Sequence, residues 1–241
     1  MQKIEKITGI LAICLLGIFH PLCAQDLTSD LKKIRDARSQ DWCKMSVQYV
    51  SYETYDAREP EDKTEAISIE NGSGGSFFDN ELSTSVSIDG KTLLLDKEDK
   101  KIYLLDRGGT LDRFGKMEPD SLLKLCSDVR FLGSEAGVHS YELVFSSSLF
   151  EYNKIRLQLD MKQMYVSELT IYYQRKMPKL KGTEVVAWLK PRLKIRYTLQ
   201  EVTARDQERL NMAHYMVKKG GIWSPKPAFK NYEIIDQTSK P

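Results

Sequence analysis

The sequence predicts a mainly β fold with short helices (α+β), in which a strongly curved antiparallel sheet or open half-barrel is covered by helices. Three observations support this prediction. Apolar and polar residues alternate with a period of two along most of the chain, clusters of turn-forming residues separate these stretches, and helical spacing is confined to three short segments. Because a long sheet with one apolar face must bury that face, we expect it to curve beneath the helices.

The first 24 residues have the features of a cleavable signal peptide. Two lysines precede an apolar run at 7–19, which is shorter than the about 20 residues needed to span a bilayer. We expect cleavage after Ala24 and a periplasmic mature chain. A lipoprotein acylated at Cys23 is the alternative, and it is disfavoured because the three residues before Cys23 include no small side chain.

The mature chain is nearly neutral. Without residues 1–24 it keeps 34 basic and 33 acidic residues, so no overall charge favours nucleic acid as a partner. A chain of this length can bury a substantial core without cross-links. We expect a single β-rich domain over 25–241, with an extended C-terminal tail at about 203–241.

The mature chain begins with a predicted amphipathic helix at 26–39. Leu27, Leu31 and Ile34 are spaced four and three residues apart, as on one face of a helix. Residues 42–55 then alternate between apolar and polar side chains and predict a long, half-buried strand.

A first β-meander is predicted over 63–107, with strands at 63–70, 76–80, 83–89, 91–96 and 101–107. Asp89-Gly90 suits a two-residue type I′ turn, in which both central residues have positive φ. The glycine-rich stretch 71–75 is interpreted as a hairpin loop, because it lacks the Lys-Ser/Thr pair of a phosphate-binding loop.

A short second helix is predicted at 118–126, because Pro119 suits a first helical turn. A second meander follows, with strands at 129–133, 138–147, 153–160, 164–174 and 185–201, and residues 175–181 between them are interpreted as a loop. Residues 203–217 predict a third helix ended by Gly220-Gly221. The tail 222–241 predicts an extended segment that docks on the sheet.

No catalytic residue, metal ligand or cofactor site is predicted. Cys43 and Cys126 are the mature cysteines, and they are either joined in a disulfide or buried as thiols. His139 and His214 lack neighbours at metal-ligand spacing, so a structural role is expected for each. We therefore expect a protein that is not an enzyme.

Charge is unevenly distributed along the chain. Residues 53–100 hold 13 acidic and 5 basic residues, whereas residues 175–196 hold 8 basic and 1 acidic residue. The basic stretch is either a solvated strand face and loop or a surface for an anionic partner, such as lipid headgroups or an acidic protein surface. Its candidate residues are Arg175, Lys176, Lys179, Lys181, Arg192, Lys194 and Arg196.

A set of apolar strand residues forms either plain core or the lining of a lipophilic pocket, and periodicity does not separate the two. The candidate cavity residues are Met45, Val47, Tyr49, Leu93, Leu95, Val144, Leu157 and Leu159.

The order of elements resembles the periplasmic lipoprotein-carrier (LolA/LolB-like) superfamily. The segments that carry the resemblance are 27–34, 45–54, the hairpin 88–96 with 101–105, and the later hairpin 155–160 with 164–171. The resemblance implies an unclosed β-barrel whose apolar cavity, lidded by helices, receives acyl chains during transport between membranes.

We therefore expect an exported binding or carrier protein for a lipid or lipoprotein acyl chain. The alternative is a non-enzymatic interaction subunit of a cell-envelope or secretion assembly, which would use the sheet edge, the basic loop and residues 223–232 as contacts.

Overall fold

The structure is a computed structural model that describes residues 27–38, 41–72, 74–106, 123–146 and 150–238. The signal peptide predicted at 1–24 and most of the helix predicted at 118–126 lie outside these residues. Within them, no helix is both long enough and apolar enough to cross a membrane.

The described elements, in chain order, begin with helix α1 at 27–38. The strands before residue 107 are β1 (Cys43–Tyr52), β2 (Asp62–Glu70), β3 (Ser76–Asn80), β4 (Ser83–Ile88), β5 (Lys91–Asp96) and β6 (Lys101–Asp106). The following strands are β7 (Asp128–Glu135), β8 (Val138–Val144), β9 (Tyr152–Asp160), β10 (Tyr165–Tyr173), β11 (Met177–Lys181), β12 (Glu184–Leu189) and β13 (Arg192–Gln200). Helix α2 (Ala204–Arg209) precedes β14 (Met216–Lys219), β15 (Ile222–Pro225) and β16 (Glu233–Asp236).

Internal contacts divide the chain into two compact units. Among the described residues, the helix unit comprises 27–36, 52–59, 123–146 and 150–194. The tail unit comprises 37–38, 41–51, 60–72, 74–106 and 195–238. The single domain expected over 25–241 and the curvature of its sheet stay predictions.

The tail unit contains a large mixed sheet, in the order β16-β6-β5-β4-β3-β2-β1. The strands from β1 to β6 pair antiparallel, whereas β16 pairs parallel with β6. The mainly β class is therefore confirmed, but a purely antiparallel sheet is wrong. The pairing of β16 with β6 is the exception. Helix α2 and the β14–β15 hairpin precede β16 in the chain, and this long connection allows β16 to run parallel to β6.

One face of this sheet forms the core of the tail unit. Ile69, Phe77, Val86, Leu93 and Leu104 lie in one cross-strand row, since each is paired with the next. All are buried, and the C-terminal residues that cover them are Leu210, Tyr215, Met216, Trp223, Phe229, Tyr232 and Ile234. The tail thus docks on the sheet, and the aromatic residues suggested as partner contacts at 223–232 pack against the chain's own core.

The helix predicted at 203–217 is shorter than expected. Helix α2 ends at Arg209, a 3₁₀ turn follows at Met212–His214, and Met216 already belongs to β14. Leu210 and Tyr215 point into the core from this irregular segment, which no continuous helix would allow at a spacing of five residues. Gly220-Gly221 does not end a helix but forms the β14–β15 turn, with positive φ at both residues.

The helix unit packs α1 against the sheet β10-β9-β8-β7. Leu27 of α1 is fully buried with Tyr141, Leu143 and Leu159, and Leu31 and Ile34 pack at the edge of this cluster. The amphipathic first helix is therefore confirmed within its described residues.

Two predictions for the later strands are wrong. The strand expected at 185–201 is two strands, β12 and β13, separated at Lys190-Pro191, because proline has no N–H to continue a ladder. The loop expected at 175–181 contains β11, which pairs antiparallel with β12. The turn prediction at Asp89-Gly90 is confirmed, with φ of 48° and 75°.

Cys43 and Cys126 are present as thiols, so the disulfide that the sequence left open is not formed in this structure. Burial raises the pKa of the Cys43 thiol and raises that of Cys126 to about 11. Neither thiol is therefore activated as a nucleophile near neutral pH.

Candidate functional site

The candidate cavity residues of the tail unit lie on opposite faces of its sheet. Lys44, and not Met45, belongs to the row of Ile69 and Leu93, whereas Met45 pairs with Ser68 on the other face. Val47 and Tyr49 share the face of Met45, and Leu95 shares the face of Leu93.

The same division occurs in the helix unit. Leu157 and Leu159 belong to the buried cluster beneath α1. Val144 pairs with Lys154 and lies on the other face of β8. The structure therefore does not assemble the eight candidate residues into one surface, and Leu93, Leu95, Leu157 and Leu159 are core residues.

A cleft of about 540 Å³ in the tail unit is the candidate ligand site. Its apolar lining residues are Trp42, Ile88, Leu210 and Met212, and its polar lining residues are Asn71, Asp89, Lys91, Gln207 and Asn211. None of the eight candidate cavity residues lines it. Ligand sites typically have volumes of about 300–1,000 Å³ with mostly apolar walls and a few polar groups.

Tight local turns hold the walls of the cleft. The Asn71 side chain accepts a hydrogen bond of 2.6 Å from the Gly75 N–H. A Cβ on Gly75 would lie 2.8 Å from Cδ2 of Leu210, so glycine is needed for this loop to approach the wall. The Asp89-Gly90 turn presents Ile88 and Lys91 at the ends of paired strands.

A buried ion pair fixes the helix that supplies the other wall. Nζ of Lys44 on β1 donates to Oδ2 of Asp206 on α2 at 3.0 Å, and the two side chains are 17% and 5% exposed. The Thr203 N–H donates to the Asp206 carboxylate and the Asp206 N–H donates to Oγ1 of Thr203, which forms a capping box. The Thr203 hydroxyl also donates to this carboxylate. Burial alone would raise the pKa of Asp206, but the hydrogen bonds from Thr203 and Lys44 outweigh it and lower this pKa to about 2.

This arrangement suits an amphiphile. An apolar group can lie against Trp42, Met212 and Leu210, while a polar headgroup can meet the amides and the exposed charges of Asp89 and Lys91. Among the described residues no group of three metal-ligating side chains occurs, and the cleft shows no nucleophile beside a base.

A second cavity in the tail unit, of about 220 Å³, has a more charged lining that includes Asp79, Lys97, Arg205, Glu208 and Arg209. Lys97 binds Asp79 at 2.7 Å, and the Thr84 hydroxyl donates to the same carboxylate. Burial raises the pKa of Tyr215, which also lines this cavity, to about 12. The charges make this cavity a poorer site for a lipophilic group.

The candidate residues for an anionic partner do not form a single surface. Arg192 donates to the Ala57 carbonyl oxygen at 2.7 Å and lies over the Tyr52 ring, and Lys194 binds Glu168 at 2.9 Å. Both are therefore used inside the helix unit. Arg196 is exposed on the part of β13 assigned to the tail unit. The remaining four, Arg175, Lys176, Lys179 and Lys181, are exposed on or beside β11.

His139 has a structural partner that the sequence reasoning missed. Asp30 on α1 is buried and accepts hydrogen bonds from Nδ1 of His139 at 2.5 Å and from the Tyr141 hydroxyl at 2.8 Å. Burial alone would raise the pKa of Asp30, but bonds from His139, Tyr141 and Lys33 lower it. The sequence pattern that could have indicated a buried Asp30 is its spacing. Asp30 lies three residues after Leu27 and four before Ile34, on the apolar face of the helix.

Comparisons with known proteins give structural neighbours only. No family model and no curated protein sequence matches the chain. Among solved structures, it is similar to an outer membrane lipoprotein-sorting protein domain from Vibrio parahaemolyticus, at 12% identity and a TM-score of 0.35, covering 76% of this chain and 96% of that one. It is also similar to a LolA superfamily protein from Nitrosomonas europaea, at 10% identity and a TM-score of 0.32, with 76% and 98% coverage.

A third similar structure is the lipoprotein LppX of Mycobacterium tuberculosis, at 8% identity and a TM-score of 0.37, covering 74% of this chain and 94% of that one. A LolA superfamily protein, the superfamily that the sequence resembles, is therefore among the solved structures to which the chain is similar. Likenesses of this strength concern the fold alone, and the functional argument below depends on the chain's own residues.

Proposed function

We propose that this protein is an exported, non-enzymatic carrier that holds the lipophilic group of a lipid or lipoprotein in the tail-unit cleft. The observation that carries the proposal is the cleft itself, whose volume of about 540 Å³ combines four large apolar side chains with five polar ones.

The driving force for such binding is apolar burial. Each methylene removed from water contributes about 0.8 kcal/mol, so an acyl chain needs no covalent chemistry to bind. Trp42 and Met212 offer broad, polarizable surfaces for such a chain. Asp89 and Lys91 line the cleft and are exposed, so a headgroup beside them would remain in contact with water.

Native mass spectrometry of the gently purified protein tests whether a lipid is bound. A fluorescent fatty acid, added to the delipidated protein, then gives the affinity. Met212→Trp fills the cleft and is expected to weaken this binding at least tenfold. Leu82→Trp is the matched control, because Leu82 is 64% exposed in the same unit and does not line the cleft.

Equal affinity in the wild type and the folded Met212→Trp variant would contradict the assignment of the cleft. A protein that carries no lipid and binds no fatty acid, but is crosslinked to an envelope protein, would instead support the interaction-subunit hypothesis. That hypothesis receives less support from the structure, since Trp223 and Tyr232 are packed against the core and β16 pairs with the edge of β6.

A further inference from the structure

The β11–β12 hairpin is a separate two-stranded sheet. Within the part of the chain that the structure describes, β11 and β12 pair only with each other. Every residue from Arg175 to Val186 whose side chain is described is exposed. An isolated two-stranded hairpin is marginally stable in water. This hairpin therefore gains stability if a surface covers it.

The hairpin exposes large apolar side chains. Met177, Val185, Val186 and Trp188 are 47%, 48%, 52% and 61% exposed. Trp188 pairs with Pro178, so an aromatic ring and a proline share one face. Val185 shares this face, whereas Met177, paired with Leu189, lies on the opposite one. Exposed apolar side chains that share one face mark an interaction site.

Basic residues surround these apolar side chains. Residues 175–190 contain Arg175, Lys176, Lys179, Lys181 and Lys190 against the single acidic residue Glu184. Lys179 contacts Glu53 of the same unit, and Arg175, Lys176, Lys181 and Lys190 are exposed. Cations next to an exposed tryptophan and aliphatic residues are typical of segments that lie in the interface of an anionic bilayer.

The base of the hairpin is fixed to the helix unit. The Tyr173 N–H donates to the Pro191 carbonyl oxygen at 3.1 Å, which closes the two ends of the hairpin. Beside this closure, Arg192 is bonded to the Ala57 carbonyl oxygen. The exposed strands therefore extend from a held base, and a surface that binds them positions the whole unit.

We propose that the β11–β12 hairpin docks this protein on the surface of an anionic lipid bilayer. Trp188 and Val185, which the register places on one face of the hairpin, enter the interfacial layer, and the lysines contact lipid phosphates. The proposal extends the carrier function, but it rests on the hairpin and not on the cleft.

Co-sedimentation with vesicles tests the proposal. Wild-type protein is expected to bind vesicles of equal parts phosphatidylglycerol and phosphatidylcholine, and to bind phosphatidylcholine alone at least tenfold more weakly. Added salt should release it. The double variant Lys176→Gln/Lys181→Gln should bind the anionic vesicles roughly fivefold more weakly for each lysine removed.

Trp188→Ser tests the apolar contact. It should lower binding to anionic vesicles at least fivefold, while fatty-acid binding in the cleft stays unchanged, so that failure of docking and failure of the carrier function are distinguishable. Ile222→Ser is the matched control, because Ile222 is 72% exposed on the other separate hairpin, β14–β15. Circular dichroism checks the fold of each variant, and the lysine variants decide the matter if Trp188→Ser does not fold.

Quenching of tryptophan fluorescence by brominated lipids tests whether Trp188 enters the bilayer. Fluorescence quenching by vesicles of brominated phosphatidylglycerol should occur in Trp42→Phe, which removes the tryptophan of the cleft, and disappear in Trp42→Phe/Trp188→Phe, because Trp223 packs against the tail-unit core. Unchanged vesicle binding in both the lysine and the Trp188 variants would overturn the proposal. Equal binding to neutral and anionic vesicles, or unchanged quenching when Trp188→Phe is added to Trp42→Phe, would also overturn it.

Discussion

The two units attach a helical segment to their sheets by the same device, a buried aspartate on the helix, but they give that aspartate different partners. In the tail unit, Asp206 is bound by the ammonium group of Lys44 and by its own N-cap residue, Thr203. In the helix unit, Asp30 is bound by His139 and Tyr141, both on β8, and by Lys33, whose side chain is 57% exposed.

The difference shows how each unit offsets the cost of burying a carboxylate. The partly buried ammonium group of Lys44 compensates the charge of Asp206 directly, and each partner would be left without its counter-charge if the other were removed. The Asp30 carboxylate is compensated mainly by hydrogen bonds, so loss of its charge leaves no buried lysine behind. We therefore expect the tail unit to be the more sensitive to a change at its aspartate.

Asp206→Ala is the substitution with the largest expected effect. It removes the capping box and leaves Lys44, which is 17% exposed, without the carboxylate that it contacts. Breaking one side of a buried pair costs about 3 kcal/mol. Urea-induced unfolding measures the loss of stability. The variant should also bind the fatty acid more weakly than the wild type, because α2 carries Gln207 of the cleft.

Glu208→Ala on the same helix is the control, since Glu208 is exposed, and it should change the unfolding free energy by less than about 0.5 kcal/mol. Lys44→Met should recover part of the stability lost in Asp206→Ala. Equal destabilisation by Asp206→Ala and Glu208→Ala would mean that the ion pair contributes nothing.

Asp30→Asn should have a smaller effect, about 2 kcal/mol. The amide retains the shape of the carboxylate but replaces a charged acceptor with a neutral one for His139 and Tyr141. Thermal unfolding followed by circular dichroism measures it, with Asp36→Asn as the control, because the Asp36 side chain is 60% exposed on the same helix. A loss greater than that of Asp206→Ala would reverse the expected ranking of the two units.

Acidification should weaken both attachments. The folded-state pKa is lowered to about 2 for Asp206 and is also lowered for Asp30. Each therefore contributes stability that is present above the unfolded-state value of about 4 and is lost as pH falls through the folded-state value. For Asp206 the loss between pH 4 and 2 is about 2 kcal/mol. Urea unfolding from pH 5 to 2 should show a steeper decline in the wild type than in Asp206→Ala.

The smallest effects are expected at two turns of similar backbone geometry, one in each unit. Gly90 of the tail unit and Gly137 of the helix unit have φ of 75° and 91°, and each follows a residue with positive φ. Alanine in this region costs about 1 kcal/mol. A Cβ on Gly90 meets nothing within 4 Å, whereas one on Gly137 would lie 2.7 Å from Cε of Lys162.

Because the Lys162 side chain is flexible, Gly90→Ala and Gly137→Ala should destabilise the protein equally, to within about 0.5 kcal/mol. Urea unfolding of the two variants gives the comparison. A markedly larger loss in Gly137→Ala would show that Lys162 is held in place.

Local patterns predicted the fold best where one residue type decides the structure. The Asp89-Gly90 turn followed from the need for positive φ, and β9 followed from the alternation of Ile155, Leu157 and Leu159. The β11–β12 hairpin was missed because its strands lack such alternation: it exposes lysines and apolar residues together.

The candidate site was less predictable, because it depends on register between strands. Met45 and Leu93 both follow an alternating pattern, and only the pairing of Lys44 with Ile69 shows that they occupy opposite faces. The partners of Asp206 illustrate the same limit. Thr203, three residues earlier, is a local signal for a cap, but nothing near Lys44 in the sequence indicates that it binds α2.

The parallel pairing of β16 with β6 also has a consequence for how the protein reaches its native state. Residues 101–104 meet residues 233–236, a contact of long sequence separation, and such contacts form slowly. Until they form, β6 is an open edge with unpaired backbone groups, which can recruit a strand from another molecule. We therefore expect aggregation during refolding to decrease once β16, the last strand described in the chain, has paired with β6.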